Sequence, residues 1–260
     1  MVQSAQESYV QLKDGKVFFL KQGKGYPLVM LHAADFGSWT WNRVLGPLAR
    51  SFTCYALDMP GFDRSDSVPQ AYSIRRFAEA VAEFMDKAGI PRAHLLGHRT
   101  GAVVSLELAV THPQRVNRLV LEGCLAWTRE EGQFVLERWL KPNLNQYGGV
   151  GPLTYEEAVK WDPQVDRAWV EKVAEASRKY GKWITVTHEA AMDYDVPENA
   201  AKAKVPTLIV YGDKDVVRKK ERLNTTIKGS IMKSIPNVAT PHYETPDLFV
   251  QEVTSFLQAK

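Results

Sequence analysis

The stretch Ala93-His94-Leu95-Leu96-Gly97-His98-Arg99-Thr100-Gly101-Ala102-Val103-Val104 decides the reading of this chain. Ala93 to Leu96 is a short apolar run of strand type, and the run from Thr100 to about Thr111 has the length and composition of a helix. Between them Gly97 and Gly101, four positions apart, flank the turn that contains Arg99. Two glycines so placed permit a tight, strained strand-to-helix turn, which projects its central side chain into the crevice at the carboxyl edge of a parallel sheet.

Working outward, the pattern alternates between short β-rich runs and longer amphipathic ones. Strands are predicted at Val17–Leu20, Leu28–Leu31, Thr53–Leu57 and Ala93–Leu96, and helices at Trp41–Ala49 and Ile74–Ala88. In the second helix Phe77, Val81, Phe84 and Met85 recur at helical spacing. Arg118–Leu121 and Pro206–Tyr211 repeat the strand pattern, so the sheet resumes after a gap. The class is α/β: a mostly parallel central sheet flanked by helices.

The gap differs in texture. It holds Trp127, Trp139, Trp161, Trp169 and Trp183 among many charges, with helical stretches at Gln133–Leu140, Tyr155–Lys160 and Arg167–Tyr180, and a Gly148-Gly149-Val150-Gly151-Pro152 joint. The chain therefore divides into a first core part at 1–124, a helical insertion at 125–203 and a second core part at 204–260. The insertion is expected over the ligand-binding edge, its tryptophans, Trp127 among them, lining a crevice. A second core without a ligand role fits the composition equally well.

Composition bounds the partners. With 260 residues, 45% hydrophobic and 24% charged, the chain can enclose a large core, which excludes disordered, collagen-like and disulfide-stapled classes. Thirty-three Lys and Arg against thirty Asp and Glu leave +3, too mild and too evenly spread for a nucleic-acid footprint. No stretch has the roughly 18 apolar residues of a membrane span, and Met1 to Gln6 lacks the pattern of a secretory leader. Cys54 and Cys124 sit inside apolar runs, as buried thiols of a reducing compartment do. A cytoplasmic protein with a small-molecule partner is expected, without nucleic-acid or membrane partners. No metal-ligand spacing or cofactor motif appears.

Six segments converge, the glycine-flanked turn among them. Pro27-Leu28-Val29-Met30-Leu31-His32, the run Leu57-Asp58-Met59-Pro60-Gly61-Phe62-Asp63-Arg64-Ser65-Asp66, the glycine-flanked turn, His112-Pro113-Gln114-Arg115-Val116, the run Pro206 to Asp215 and Glu244-Thr245-Pro246 occur in this order. In this the chain resembles the α/β-hydrolases of the epoxide-hydrolase, haloalkane-dehalogenase and C–C-hydrolase branch, over essentially its whole length. The resemblance implies the α/β-hydrolase fold with a helical cap, and Arg99 at the nucleophile-elbow position, where such enzymes carry a nucleophile such as serine. It matches Asp215 to the family's acid. It puts the family's histidine at Ala239, counted from Glu244, or at Thr240, counted from Ile235-Pro236, with His242 two or three residues on. The oxyanion segment reads His32-Ala33-Ala34 where glycine is usual, so the backbone N–H groups of Ala34 and Thr100 are the implied oxyanion donors.

Arginine has no nucleophilic atom near neutral pH and cannot accept a proton, which excludes an acyl-enzyme through residue 99. Its guanidinium can hold a carboxylate or phosphate by paired hydrogen bonds, or stabilise a developing oxyanion. A buried cation needs a counter-charge, and Asp215 or Asp35 could supply it. With no histidine between elbow and acid, a direct Arg99–Asp215 ion pair is expected.

His242 is either a surface-loop residue or, swung inward beside Asp215, a base for water activation. His98 and His32 flank the pocket, where the resemblance implies packing and backbone hydrogen bonding, and His98 is also a candidate substrate-binding residue. His188, beside Glu189, reads as solvated, Glu122 as a strand-end charge and Cys124 as an inert thiol. Two functions fit. One is an enzyme acting without covalent catalysis on a small anionic molecule, carboxylated or phenolic, with Asp215 and His242, or Asp35, as base. The other is an inactive homologue that binds a small ligand or a protein partner through the capped pocket.

Overall fold

The computed structural model describes residues 4–160, 165–217 and 219–259, so Trp161 lies outside the described residues. Eight strands form one sheet: β1 (Gln6–Leu12), β2 (Gly15–Gln22), β3 (Tyr26–Leu31), β4 (Phe52–Leu57), β5 (Ala93–His98), β6 (Val116–Glu122), β7 (Thr207–Gly212) and β8 (Ile231–Ile235). Their order is β1-β2-β4-β3-β5-β6-β7-β8, with β2 antiparallel to both β1 and β4 and every other pair parallel. The inner strands β5 and β7 are buried along their whole length, as a sheet covered on both faces requires. The edge strands β1 and β8 are largely exposed and carry mixed polar sequences, so neither has the contiguous apolar run that marks the inner strands.

Helices cover both faces. On one lie α2 (Ile74–Lys87) and α3 (Thr100–Thr111), whose Phe77, Phe84, Val103 and Leu106 share a core with Leu31, Leu95 and Leu121. On the other lie α1 (Asn42–Leu48), after a 3₁₀ turn at Ser38–Trp41, and α10 (Pro246–Gln258), which pack Trp41, Leu48, Phe249 and Val253 against Met30 and Leu96. The Ser73 side chain caps α2, and proline occupies the first turn of α10, where its missing N–H costs nothing.

Between β6 and β7 run α4 (Arg129–Val135), continued by a π turn at Leu136–Leu140, then α5 (Tyr155–Ala158), α6 (Arg167–Met192) and α7 (Val196–Ala200). After β7 come α8 (Glu221–Thr226) and α9 (Pro241–Glu244). The described tryptophans of the inserted segment differ in their surroundings. Trp183 packs 6.2 Å from Phe77 and donates through Nε1 to the Pro60 carbonyl at 3.2 Å. Trp169 lies 4.7 Å from Phe36 and 4.3 Å from Tyr243. Both pin the segment to the core. Trp139 is 51% exposed, and Trp127 is half-buried against the core, its carbonyl accepting from Val196 N. Among the described residues no helix is long and apolar enough to cross a membrane.

The strand order reverses between β3 and β5: the chain passes from β3 to β4 on one side and returns to β5 on the other. In an open α/β sheet a ligand crevice forms beyond the carboxyl ends of strands at such a switch. Residues 32–36 follow β3 and residues 99–101 follow β5, so the two segments singled out in the sequence meet there.

Candidate active site at the β5–α3 turn

Arg99 connects β5 to α3 with φ +51° and ψ −116°, a conformation that L residues rarely adopt and that costs on the order of 1–3 kcal/mol. The surroundings hold it there. Its N–H donates to the Glu122 carbonyl at 3.0 Å, and its carbonyl accepts from Ala102 and Val103 at 2.9 and 3.1 Å. A Cβ on Gly97 would sit 2.3 Å from the Gly101 carbonyl oxygen, and one on Gly101 would sit 2.2 Å from that of Leu31. Both glycines are therefore required by backbone approach. The same contact presses the turn against the end of β3.

The Arg99 side chain reaches across the end of β6 to Asp215, which follows β7. Nη1 donates to Oδ1 of Asp215 at 2.7 Å, and more weakly to the Gly123 carbonyl at 3.4 Å. Oδ1 also accepts from Val217 N at 2.7 Å, while Oδ2, also buried, has no hydrogen-bond partner among the described residues. Asp215 is sealed at 1% side-chain exposure and Arg99 retains 21%. Gly123, at φ +54°, makes the approach possible, since a Cβ there would lie 3.1 Å from Asp215 Oδ2. Nε and Nη2 of Arg99 make no hydrogen bond among the described residues. The N–H of Thr100 is one of the helix-start amides that lack an intrahelical acceptor. Ala34, fully buried, lies in the segment facing the turn.

His242 departs from both expectations. It is fully buried on α9, neither on the surface nor beside Asp215. Nδ1 lies 2.8 and 2.9 Å from the two carboxylate oxygens of Glu122, the backbone N–H donates to the same carboxylate at 3.0 Å, and Nε2 lies 2.9 Å from Thr40 Oγ1. Both ring nitrogens are occupied, which leaves none to take a proton from a ligand. Glu122 is correspondingly no ordinary strand-end charge. It is fully buried, and although burial penalises its charged form, the facing His242 and His98 rings hold its pKa well below the usual carboxylate range.

His98 Nδ1 lies 3.4 Å from Glu122 Oε2, its ring stacks 6.0 Å from Phe36, and burial pushes its pKa down to about 4. The donor atoms of His98, Glu122 and His242 lie within 4.8 Å of one another, a set that could hold a metal ion only by breaking the Glu122–His242 hydrogen bonds. The sequence offered one signal for this cluster: a carboxylate ending an otherwise apolar inner strand must be buried and therefore paired.

His188 is likewise not solvated. Its side chain is 14% exposed, and Nε2 lies 3.4 Å from Oδ2 of Asp35, itself 20% exposed. Asp35 is thus paired with α6, while Arg99 is paired with Asp215. His32 lies under the crevice, with Nε2 accepting from Met59 N at 2.9 Å.

Comparison with known proteins agrees with the topology. Residues 26–146 match the family model described as the alpha/beta hydrolase fold. The chain is 38% identical over 112 residues to the dihydrolipoyllysine-residue acetyltransferase component of the acetoin cleaving system of Cupriavidus necator, covering 42% of this chain but only 29% of that relative. It is 26% identical to 2-hydroxy-6-oxo-6-(2'-aminophenyl)hexa-2,4-dienoic acid hydrolase of Metapseudomonas resinovorans, over 81% of this chain and 75% of that enzyme. The crystal structure of a hydrolase from Pseudomonas aeruginosa superposes with a TM-score of 0.81 at 25% identity, covering 97% of this chain and 98% of that one. Sheet order, elbow geometry and these likenesses together show that the chain belongs to the α/β-hydrolase superfamily.

Proposed function

We propose that this chain is an atypical α/β-hydrolase-fold enzyme that acts on a small organic anion by acid/base and electrostatic catalysis, without a covalent intermediate at residue 99. The observation that carries the reading is the half-used guanidinium. One edge of Arg99 neutralises Asp215, and among the described residues Nε and Nη2 have no hydrogen-bond partner, on a side chain that is 21% exposed. A planar fork with two free donors matches a carboxylate or phenolate. The N–H groups of Ala34 and Thr100 are assigned to the oxyanion that develops when the carbonyl is attacked. Residues 125–203 are assigned as the cap over this edge, and Trp127 to its lining. The hexadienoic acid hydrolase named above acts, by its name, on a carboxylated compound, which accords with this substrate class. The reading involves no cofactor, nucleic acid or membrane, and the buried free thiols Cys54 and Cys124 fit a cytoplasmic location.

A ligand-binding protein without turnover is the second reading, favoured by one observation: Asp215 already neutralises Arg99 and is thereby engaged, so it is not free to act as a base. Thermal unfolding with and without benzoate, succinate and muconate tests the common premise. Stabilisation by these carboxylates is expected, and Arg99→Lys, which keeps the charge but not the fork, is expected to lose most of it. Equal stabilisation of both proteins would remove the assignment of Arg99 as the anion holder.

A further inference from the structure

We propose that Asp35 is the proton acceptor of this site, and that His188 is the positioning residue that holds it. The inference rests on the anion-holding reading of Arg99. Asp35 directly follows Ala34, in the segment that packs against the β5–α3 turn. Its two oxygens are unlike. Oδ2 faces His188 Nε2 at 3.4 Å, whereas Oδ1 is buried with no hydrogen-bond partner among the described residues. An unpartnered buried carboxylate oxygen is expensive unless it serves a reacting group. Asp215 Oδ2 is likewise unpartnered among the described residues, but its carboxylate is joined to the Arg99 guanidinium, which disfavours taking up a proton, and both ring nitrogens of His242 are engaged by Glu122 and Thr40.

His188 can serve Asp35 in only one way. Its Nδ1 lies 3.0 Å from the Ile184 carbonyl, an acceptor, so Nδ1 carries a proton. Nε2 then donates to Asp35 only as the imidazolium. Burial opposes that form, but the charge and hydrogen bond of Asp35, with the Ile184 carbonyl, outweigh it and raise the His188 pKa. The other titratable groups that feel the Asp35 charge are His32 and Tyr180. The pair also joins the β3 loop to α6, so the base is complete only when the inserted segment is seated.

The substrate class is a carboxylate-bearing ester or lactone. Asp35 Oδ1 takes a proton from water, and the resulting hydroxide oxygen bonds to the acyl carbon. The carbonyl π pair moves onto oxygen beneath the Ala34 and Thr100 N–H groups. Collapse of that oxyanion re-forms the carbonyl and breaks the bond to the alkoxide or phenoxide, which leaves with the proton held by Asp35.

The test is hydrolysis of the mono-4-nitrophenyl ester of succinic acid by the full chain, across pH 5 to 9. A kcat that falls on the alkaline side is expected, with that limb set by His188. Asp35→Asn should lower kcat by at least about 100-fold with little change in KM or in stabilisation by succinate. His188→Gln, whose amide donates at every pH, should retain activity and lose the alkaline limb. Unchanged kcat in Asp35→Asn, an alkaline limb that survives His188→Gln, or no turnover by the wild type would each overturn the proposal. Succinate stabilisation that fails while Asp35-dependent turnover persists would instead remove the anion-holding reading.

Discussion

Arg99 Nη1 stands 2.7 Å from Asp215 Oδ1, joining the turn after β5 directly to the acid after β7. Asp215 is 1% exposed, so removing the guanidinium strands a buried charge. Arg99→Ala is therefore expected to destabilise by ~3 kcal/mol, read as a shift in the urea midpoint with unchanged slope. The double variant Arg99→Met with Asp215→Leu removes both charges and should recover most of that loss. A double variant no more stable than Arg99→Ala would mean that the cost comes from lost packing.

Restoring a hydroxyl at the elbow should not create an esterase. In Arg99→Ser the nucleophile would need a base between itself and Asp215, yet positions 239 and 240 hold Ala239 and Thr240. The nearby His242 has both ring nitrogens engaged by Glu122 and Thr40. Burst kinetics with 4-nitrophenyl acetate should show no acyl-enzyme. Adding Ala239→His is the change that could supply the missing base. A burst in Arg99→Ser alone would show that another group can reach residue 99.

Stability should fall as pH is lowered through the histidine range. Burial depresses the pKa of His98 and of His94 to about 4, from an ordinary value of 6.5. Between these values the unfolded chain binds protons that the folded chain refuses, so the contribution of these two histidines is full above 6.5 and declines as pH falls toward 4. Glu122 adds a second loss at lower pH, because a carboxylate held below its ordinary 4.5 contributes fully above that value and progressively less as pH falls beneath it. Urea midpoints at pH 7.5, 6 and 4.5 measure the first loss. Glu122→Gln, which breaks the fully buried pair, should cost ~3 kcal/mol at neutral pH and flatten the acid decline.

Legibility from sequence followed the physics of burial. Inner strands announced themselves as contiguous apolar runs, and the elbow by two glycines that backbone approach requires at Gly97 and Gly101. The contact between Arg99 and Asp215 was foreseeable because a buried cation needs a partner and the fold brings the ends of β5 and β7 within one side chain of each other. What escaped were pairings that local pattern does not encode. The union of Glu122 with His242 spans 120 positions, and that of Asp35 with His188 joins the core to an inserted helix. The strands β1 and β8 escaped because edge positions tolerate polar residues on their exposed faces.

The seat of the inserted segment depends on Glu131, the third residue of α4. Within α4 it closes a capping box, accepting from Thr128 N at 3.0 Å while its own N–H donates to Thr128 Oγ1. Its carboxylate also accepts from Arg222 of α8, Nη1 at 2.5 Å and Nη2 at 3.0 Å, and from Lys219. One side chain thus caps a helix of the insertion and clamps it to the second part of the core. Those hydrogen bonds, led by Arg222, hold its pKa below the ordinary 4.5, so its contribution is present above that value and is lost as pH falls. Glu131 is 28% exposed, and solvent screening limits the effect: Glu131→Gln should cost roughly 1 kcal/mol at neutral pH. The difference from wild type should shrink below the carboxylate range. Because the clamp acts on the insertion, amide exchange in α4 should accelerate while β5 and β6 stay protected. Uniform acceleration across the sheet would instead show that insertion and core unfold as one unit.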